Sequence, residues 1–149
     1  MTRADTLRAL RAAGQVKDVK ARLADQTLQN AKDSLDEAGK SLSEKRAAFG
    51  DAERAWSEGV MRPGFDPAMT GWLASTLVGA ETEMIAAQAL HRQRRDIAER
   101  SLNEKARAEG ERRVVRDMSK GSLRLLQKHR EEIALADMAD RHAAKGKKR

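Results

Sequence analysis

Three histidines, His91, His129 and His142, are the only imidazoles in the chain, and they lack the short mutual spacing that metal ligands need. There are no cysteines, which excludes a thiolate metal site and a disulfide framework. The acidic pairs Asp36–Glu37 and Glu131–Glu132 have the residue types for acid–base work, yet in a chain this rich in charge they read as solvated helix surface. No glycine-rich phosphate loop and no Ser nucleophile motif occurs. Two basic stretches, Arg92-Gln93-Arg94-Arg95 and Lys145-Gly146-Lys147-Lys148-Arg149, have the chemistry to grip phosphates. Acidic residues are interleaved through the same segment and no aromatic platform accompanies them, so the reading favoured is a solvated charged face, with nucleic acid disfavoured as a partner.

The elements that must carry these residues are helices. Of the chain's 149 residues 36% are charged and 3% aromatic, too poor a supply for a compact globular core. Apolar content is 40%, much of it Ala and Leu, which suits long helices that bury a narrow stripe. From Leu7 every seventh residue is Leu7, Gly14, Ala21, Leu28, Leu35, Leu42, Phe49 and Trp56, and the series three residues on is Leu10, Lys17, Ala24, Ala31, Ala38, Lys45 and Ala52. Only Gly14, Lys17 and Lys45 break the apolar pattern, so one stripe faces a partner helix over more than six heptads. The alanines imply close approach of that partner.

The one convincing break is Ser57-Glu58-Gly59-Val60-Met61-Arg62-Pro63-Gly64-Phe65. Asp66 then offers an N-cap and Pro67 the first position of a new helix. A short turn between long amphipathic helices predicts an antiparallel hairpin. The fold class expected is all-α: two long helices forming an antiparallel coiled-coil hairpin, the second longer. Residues 1–149 make one domain, with helix one over about 2–58, a tip loop over about 59–66, helix two over about 67–144 and a basic tail at 145–149. In the second arm Leu73, Leu77, Ala80, Met84 and Ala87 keep the rhythm, and Leu123, Leu126, Arg130 and Ile133 return to it. Between them His91 and Arg94 fall on seam positions while Leu90, Ile97, Met118 and Leu125 lie on a neighbouring stripe, which predicts a register shift or a loose middle that flexes near Gly110 or Gly121. At 1.5 Å per residue the arms span roughly 85 and 115 Å. With the hairpin folded about residue 62, the N-terminus meets the chain near residue 125, and the last twenty or so residues project, find another partner or fray.

The net charge of +7 is unevenly spread: +1 over residues 1–59, −2 over 60–91 and +8 over 92–149. An acidic partner surface is expected for the C-terminal part. All four aromatics, Phe49, Trp56, Phe65 and Trp72, lie around the turn, where Phe49, Trp56 and Trp72 are expected to lock the closed end of the coil and an exposed Phe65 or Met61 suits a docking anchor, two roles that are compatible. No signal peptide and no 18-residue apolar run is present, so the expected location is cytoplasmic. With almost no interior in which to converge catalytic groups, the chain is expected not to be an enzyme, and to take no cofactor, metal or small-molecule substrate.

A lone hairpin of unequal arms with a basic end resembles the central-stalk proteins of flagellar and type III secretion export ATPases, the FliJ/YscO family. The stretch Leu126-Gln127-Lys128-His129-Arg130-Glu131-Glu132 followed by Asp137-Met138-Ala139-Asp140-Arg141 is similar to that family's closing pattern, and Met84, Ala87 and His91-Arg92 to its gate-contacting face. Ala80 stands where the family pattern carries an aromatic. The resemblance implies a non-enzymatic stalk, peripheral at the inner-membrane export apparatus, that couples a hexameric export ATPase to the cytoplasmic domain of an export-gate membrane protein, with export chaperones as further partners. It implies gate contact through Ala80, Met84, Ala87, His91, Phe65 and Trp72, and ATPase contact through Leu126, Arg130, Ile133, Asp137 and Arg141. Two other readings stay open: a basic helical hairpin that binds nucleic acid or the ribosome, and a generic coiled-coil adaptor or scaffold.

Overall fold

The computed structural model describes residues 2–64 and 66–147. The protein is all-α, a hairpin of two helices, α1 over Arg3–Met61 and α2, the longer, over Pro67–Gly146. Both starts are capped by side chains. Thr2 Oγ1 accepts from the Asp5 amide at 3.1 Å while the Asp5 carboxylate accepts from the Thr2 amide at 3.1 Å, a reciprocal box that satisfies two free donors. Asp66 Oδ1 accepts from the Ala68 amide at 3.1 Å, with Pro67 in the first helical position.

Helix α1 runs through Gly59 to Met61, past the expected end near 58, because its stop is Pro63, which disfavours helical geometry in Arg62. Gly64 completes the turn at φ 99°, a left-handed conformation that glycine alone adopts without strain. Helix α2 passes through Gly110 and Gly121 unbroken, so neither is a hinge in the backbone.

The chain divides into two compact units. One spans Asp25–Glu104 and contains the turn. Its helices run antiparallel, with Lys45 opposite Glu83, Gly39 opposite His91 and Gly59 opposite Leu73. Its core is a single file of small and medium side chains, among them Leu28, Ala31, Ala38, Leu42 and Ala52 of α1 and Leu73, Ala87 and Ala98 of α2. The other unit comprises Met1–Ala24 and Lys105–Arg149. There too the helices are antiparallel, with Gly14 opposite Val115 and Lys17 opposite Glu111, and Leu7 and Ala21 are its buried apolar residues.

Every α1 position of the heptad read from the sequence is buried or half-buried, the pattern continues by one step to Gly59, and Ala13, Asp18, Ser34, Gly39, Ser41 and Gly50 are half-buried beside it. Helix α2 corrects the expectation of a shifted register. From Leu73 to Leu126 the covered positions alternate by four and three without interruption. What changes is the side chain: His91, Arg94, Ser101, Lys105, Arg112, Ser119 and Ser122 occupy seam positions. Long cationic chains lay their methylenes along the partner helix and lift their heads to water or to an acid. A seam can therefore stay in register while its sequence looks polar.

Candidate partner-binding surfaces

The residues proposed for gate contact separate into two groups. Ala87 is buried, and Ala80, Met84 and His91 are half-buried, all four in the α2 seam. The His91 imidazole lies 3.8 Å from where a Cβ would stand on Gly39, so the missing side chain makes room for the ring. These four side chains face α1, not an outward surface. Trp72 does the opposite. It is 65% exposed, one position before the buried Leu73, so it does not lock the closed end, a task left to half-buried Phe49 and Trp56. Phe65 lies outside the described residues.

Trp72 has company that the sequence pattern did not single out in full. Met61 is 86% exposed, and Val60 and Met69 are also open, which gathers apolar side chains around the turn beside Arg62 and Pro63. Flexible methionines with an amphipathic indole make an adaptable docking surface. A further exposed set, Val16, Val19 and Leu23, lies on α1 at spacings of three and four, off the seam. That second series is legible in the sequence as apolar residues two positions beyond the seam residues Gly14, Lys17 and Ala21.

Of the residues proposed for ATPase contact, Leu126 is half-buried and lines a groove with Leu7, Arg8 and Arg11, which exposed Arg130 also borders. Every described residue from Gln127 to Lys147 is exposed, Arg130, Ile133, Asp137 and Arg141 among them. The expected projection of the C-terminal arm is thus an unpaired stretch of helix. Ile133 at 50% exposure sits on one face with Arg130 and Asp137, while Leu135 at 65% and Met138 lie on another. The last basic residues, Lys148 and Arg149, lie outside the described part.

Electrostatics in both units are local and wet. Lys17 Nζ donates to Glu111 Oε2 at 2.8 Å, and this bond with the attraction of the same ammonium holds the Glu111 carboxyl below its usual range. Lys45 Nζ donates to Glu83 Oε2 at 2.9 Å, which raises the Lys45 pKa. Arg112 Nε stands 2.6 Å from Asp18 Oδ1, an ion pair without hydrogen-bond alignment. Among the described residues no group of three His, Asp or Glu side chains is placed to hold a metal ion, and no helix is long and apolar enough to cross a membrane. No family model matches the chain, and neither a curated protein nor a solved structure matches it.

Proposed function

We propose that the protein is a non-enzymatic stalk of a flagellar or type III export ATPase complex, coupling the ATPase hexamer to the export gate through two regions, the turn and the C-terminal arm. The observation that carries this reading is the unpaired arm after Leu126. A helix of about twenty residues with no partner is marginal in water, and this one keeps apolar side chains on two faces. Such a helix is served by a partner that surrounds it, as the bore of a ring does, better than by one that covers a single side. The excess of basic residues in the same part of the chain suits an electronegative wall. At the turn, Trp72, Met61 and Met69 take the place of the seam residues as the contact with the gate. The resemblance to the FliJ/YscO family supports the same assignment.

The test is co-purification with the export ATPase of the same cells, comparing the full chain with a form lacking residues 127–149 and with the full-length double substitution Ile133→Asp, Leu135→Asp. Loss of ATPase in both, with helix content retained by circular dichroism, is the expected result. Undiminished ATPase recovery by the truncated chain would sink the reading.

A further inference from the structure

Three cations of this chain reach across to an acid on the opposite helix: Lys17 to Glu111, Lys45 to Glu83 and Arg112 to Asp18. One cleft in the Asp25–Glu104 unit departs from that pattern. Arg46 of α1 and Arg92 and Arg95 of α2 line it together with Gln88 and His91, over Leu42, around a volume of about 380 Å³. No carboxylate lines it, and among the described residues none of the three arginines makes an ion pair.

Local structure explains the convergence. Gln88, Arg92 and Arg95 follow one another at four and three residues, so they share one flank of α2 beside the seam. Arg46 follows the seam residue Lys45 and points to the same side from α1, as their common cleft shows. Lys45 is engaged by Glu83, and the neighbouring arginines are left with one another. Arg46, Arg92 and Arg95 are all exposed, and like charges gathered in a groove repel, a repulsion that a bound anion relieves.

The patch also defines what that anion is. Glu81 and Glu99 occupy the same flank of α2 on either side of the stripe, which confines the positive field to about two helical turns, roughly 11 Å. An acidic helix or a phosphodiester backbone needs a longer track, and no aromatic is present to stack a base. The guanidinium fork matches phosphate oxygens two at a time, and the Gln88 amide adds a neutral donor.

We propose that Arg46, Arg92 and Arg95 form a binding site for a compact phosphate-bearing ligand, one or two phosphate groups of a soluble ester or of a phosphomonoester lipid head group. This goes beyond the stalk reading and does not depend on it. Two probes separate the sources: pyrophosphate titrated calorimetrically into the full chain, and flotation of the full chain with vesicles containing phosphatidic acid. Each is run on the natural chain, on Arg92→Gln/Arg95→Gln, and on Lys45→Gln, which removes an adjacent cation that the cleft does not use. Circular dichroism checks that each variant is folded. The double substitution is expected to weaken binding about tenfold or more. Lys45→Gln is expected to change it by less than about twofold. Arginine-dependent binding of pyrophosphate identifies a soluble ester as the source, and arginine-dependent binding of vesicles alone identifies the head group. Absence of binding to both probes, or equal loss in the Lys45→Gln chain, overturns the proposal.

Discussion

The unit spanning Asp25–Glu104 and the unit made of the two chain ends follow the same heptad but fill it differently. In the first, Leu28, Leu42 and Leu73 alternate with buried alanines, and contact is mainly apolar, with Lys45–Glu83 as a cross-helix ion pair. In the second, Leu7 and Ala21 are the buried apolar residues, and the cross-helix contacts include Lys17–Glu111 and Arg112–Asp18. Apolar burial holds helices together, at about 25 cal/mol per Å² removed from water. Exposed ion pairs orient them but hold weakly. Periodicity therefore fixes which residues meet, and side-chain chemistry fixes how firmly. The unit of chain ends is expected to open first, as the less apolar part of a protein generally does.

The largest effect expected is at Leu42. Leu42→Ala empties a buried position and should cost about 2–3 kcal/mol in urea unfolding followed by circular dichroism. Leu7 is equally buried, at 6%, but it sits in the second turn of α1 beside an open groove. Leu7→Ala should cost about 1 kcal/mol, below the usual range for a closed core. Equal costs would break the contrast between the units.

Glycines sharpen it next. Nothing lies within reach of a Cβ on Gly110, so Gly110→Ala should stabilise the unit of chain ends by about 0.5–1 kcal/mol through helix propensity alone. A Cβ on Gly59 would run into Leu73 Cδ1, so Gly59→Ala should show no such gain and should recover it when Leu73→Ala is added. A free gain at Gly59 would mean that the seam near the turn is looser than its burial implies.

How far the sequence could be read follows from the same difference. The seam of α1 was legible because it is apolar at Leu7, Ala21, Leu28 and Leu42, and its period speaks directly. The α2 seam was misread as shifted because Arg94, Lys105 and Arg112 lie in it, and a hydrophobic pattern cannot register a residue that contributes only its methylenes. The caps at Thr2 and Asp66 follow local rules, and the Asp66 cap was readable in advance. Candidate contact residues fared less evenly. Arg130, Ile133, Asp137 and Arg141 are exposed, as a contact surface needs, whereas Ala80, Met84, Ala87 and His91 face the partner helix, since four-and-three spacing marks a seam equally whether its occupant is α1 or another protein. The arginine cleft was visible in sequence only as the run from Arg92 to Arg95; that Arg46 joins it depends on which residues of α1 lie opposite.

A smaller effect isolates the charge contacts. In a double-mutant cycle Asp18→Asn with Arg112→Gln should show a coupling of about 0.5 kcal/mol, because both side chains are more than a third exposed and water screens them. The coupling should fade as salt approaches about 1 M, where the Debye length falls to about 3 Å. A coupling that survived that salt would mean the pair is shielded, and the unit of chain ends firmer than its composition implies.

The smallest effect separates the units by pH. Glu111, in the unit of chain ends, has its carboxyl held below the ordinary value of 4.5 by the hydrogen bond from Lys17 and by the charge of that ammonium. A depressed acid stabilises the fold above its unfolded pKa, and the contribution is lost as pH falls through the folded one. Asp5, lowered by its bonds to Thr2, acts in the same direction. Lys45, in the Asp25–Glu104 unit, is raised above 10.5 by the hydrogen bond to Glu83 and the charge behind it. A raised base contributes below its unfolded pKa, and the contribution is lost as pH climbs through the folded one. Acid should therefore loosen the chain ends, and alkali the unit with the turn. The measurement is the stability of Glu111→Gln and Lys45→Gln relative to the natural chain across pH. The Glu111→Gln difference should vanish on the acid side only, and the Lys45→Gln difference on the alkaline side only. A Glu111→Gln difference unchanged down through the carboxylate range would show that Lys17 contributes there by packing along the seam, and the contrast between a charge-joined and an apolar unit would lose one of its two cross-helix pairs.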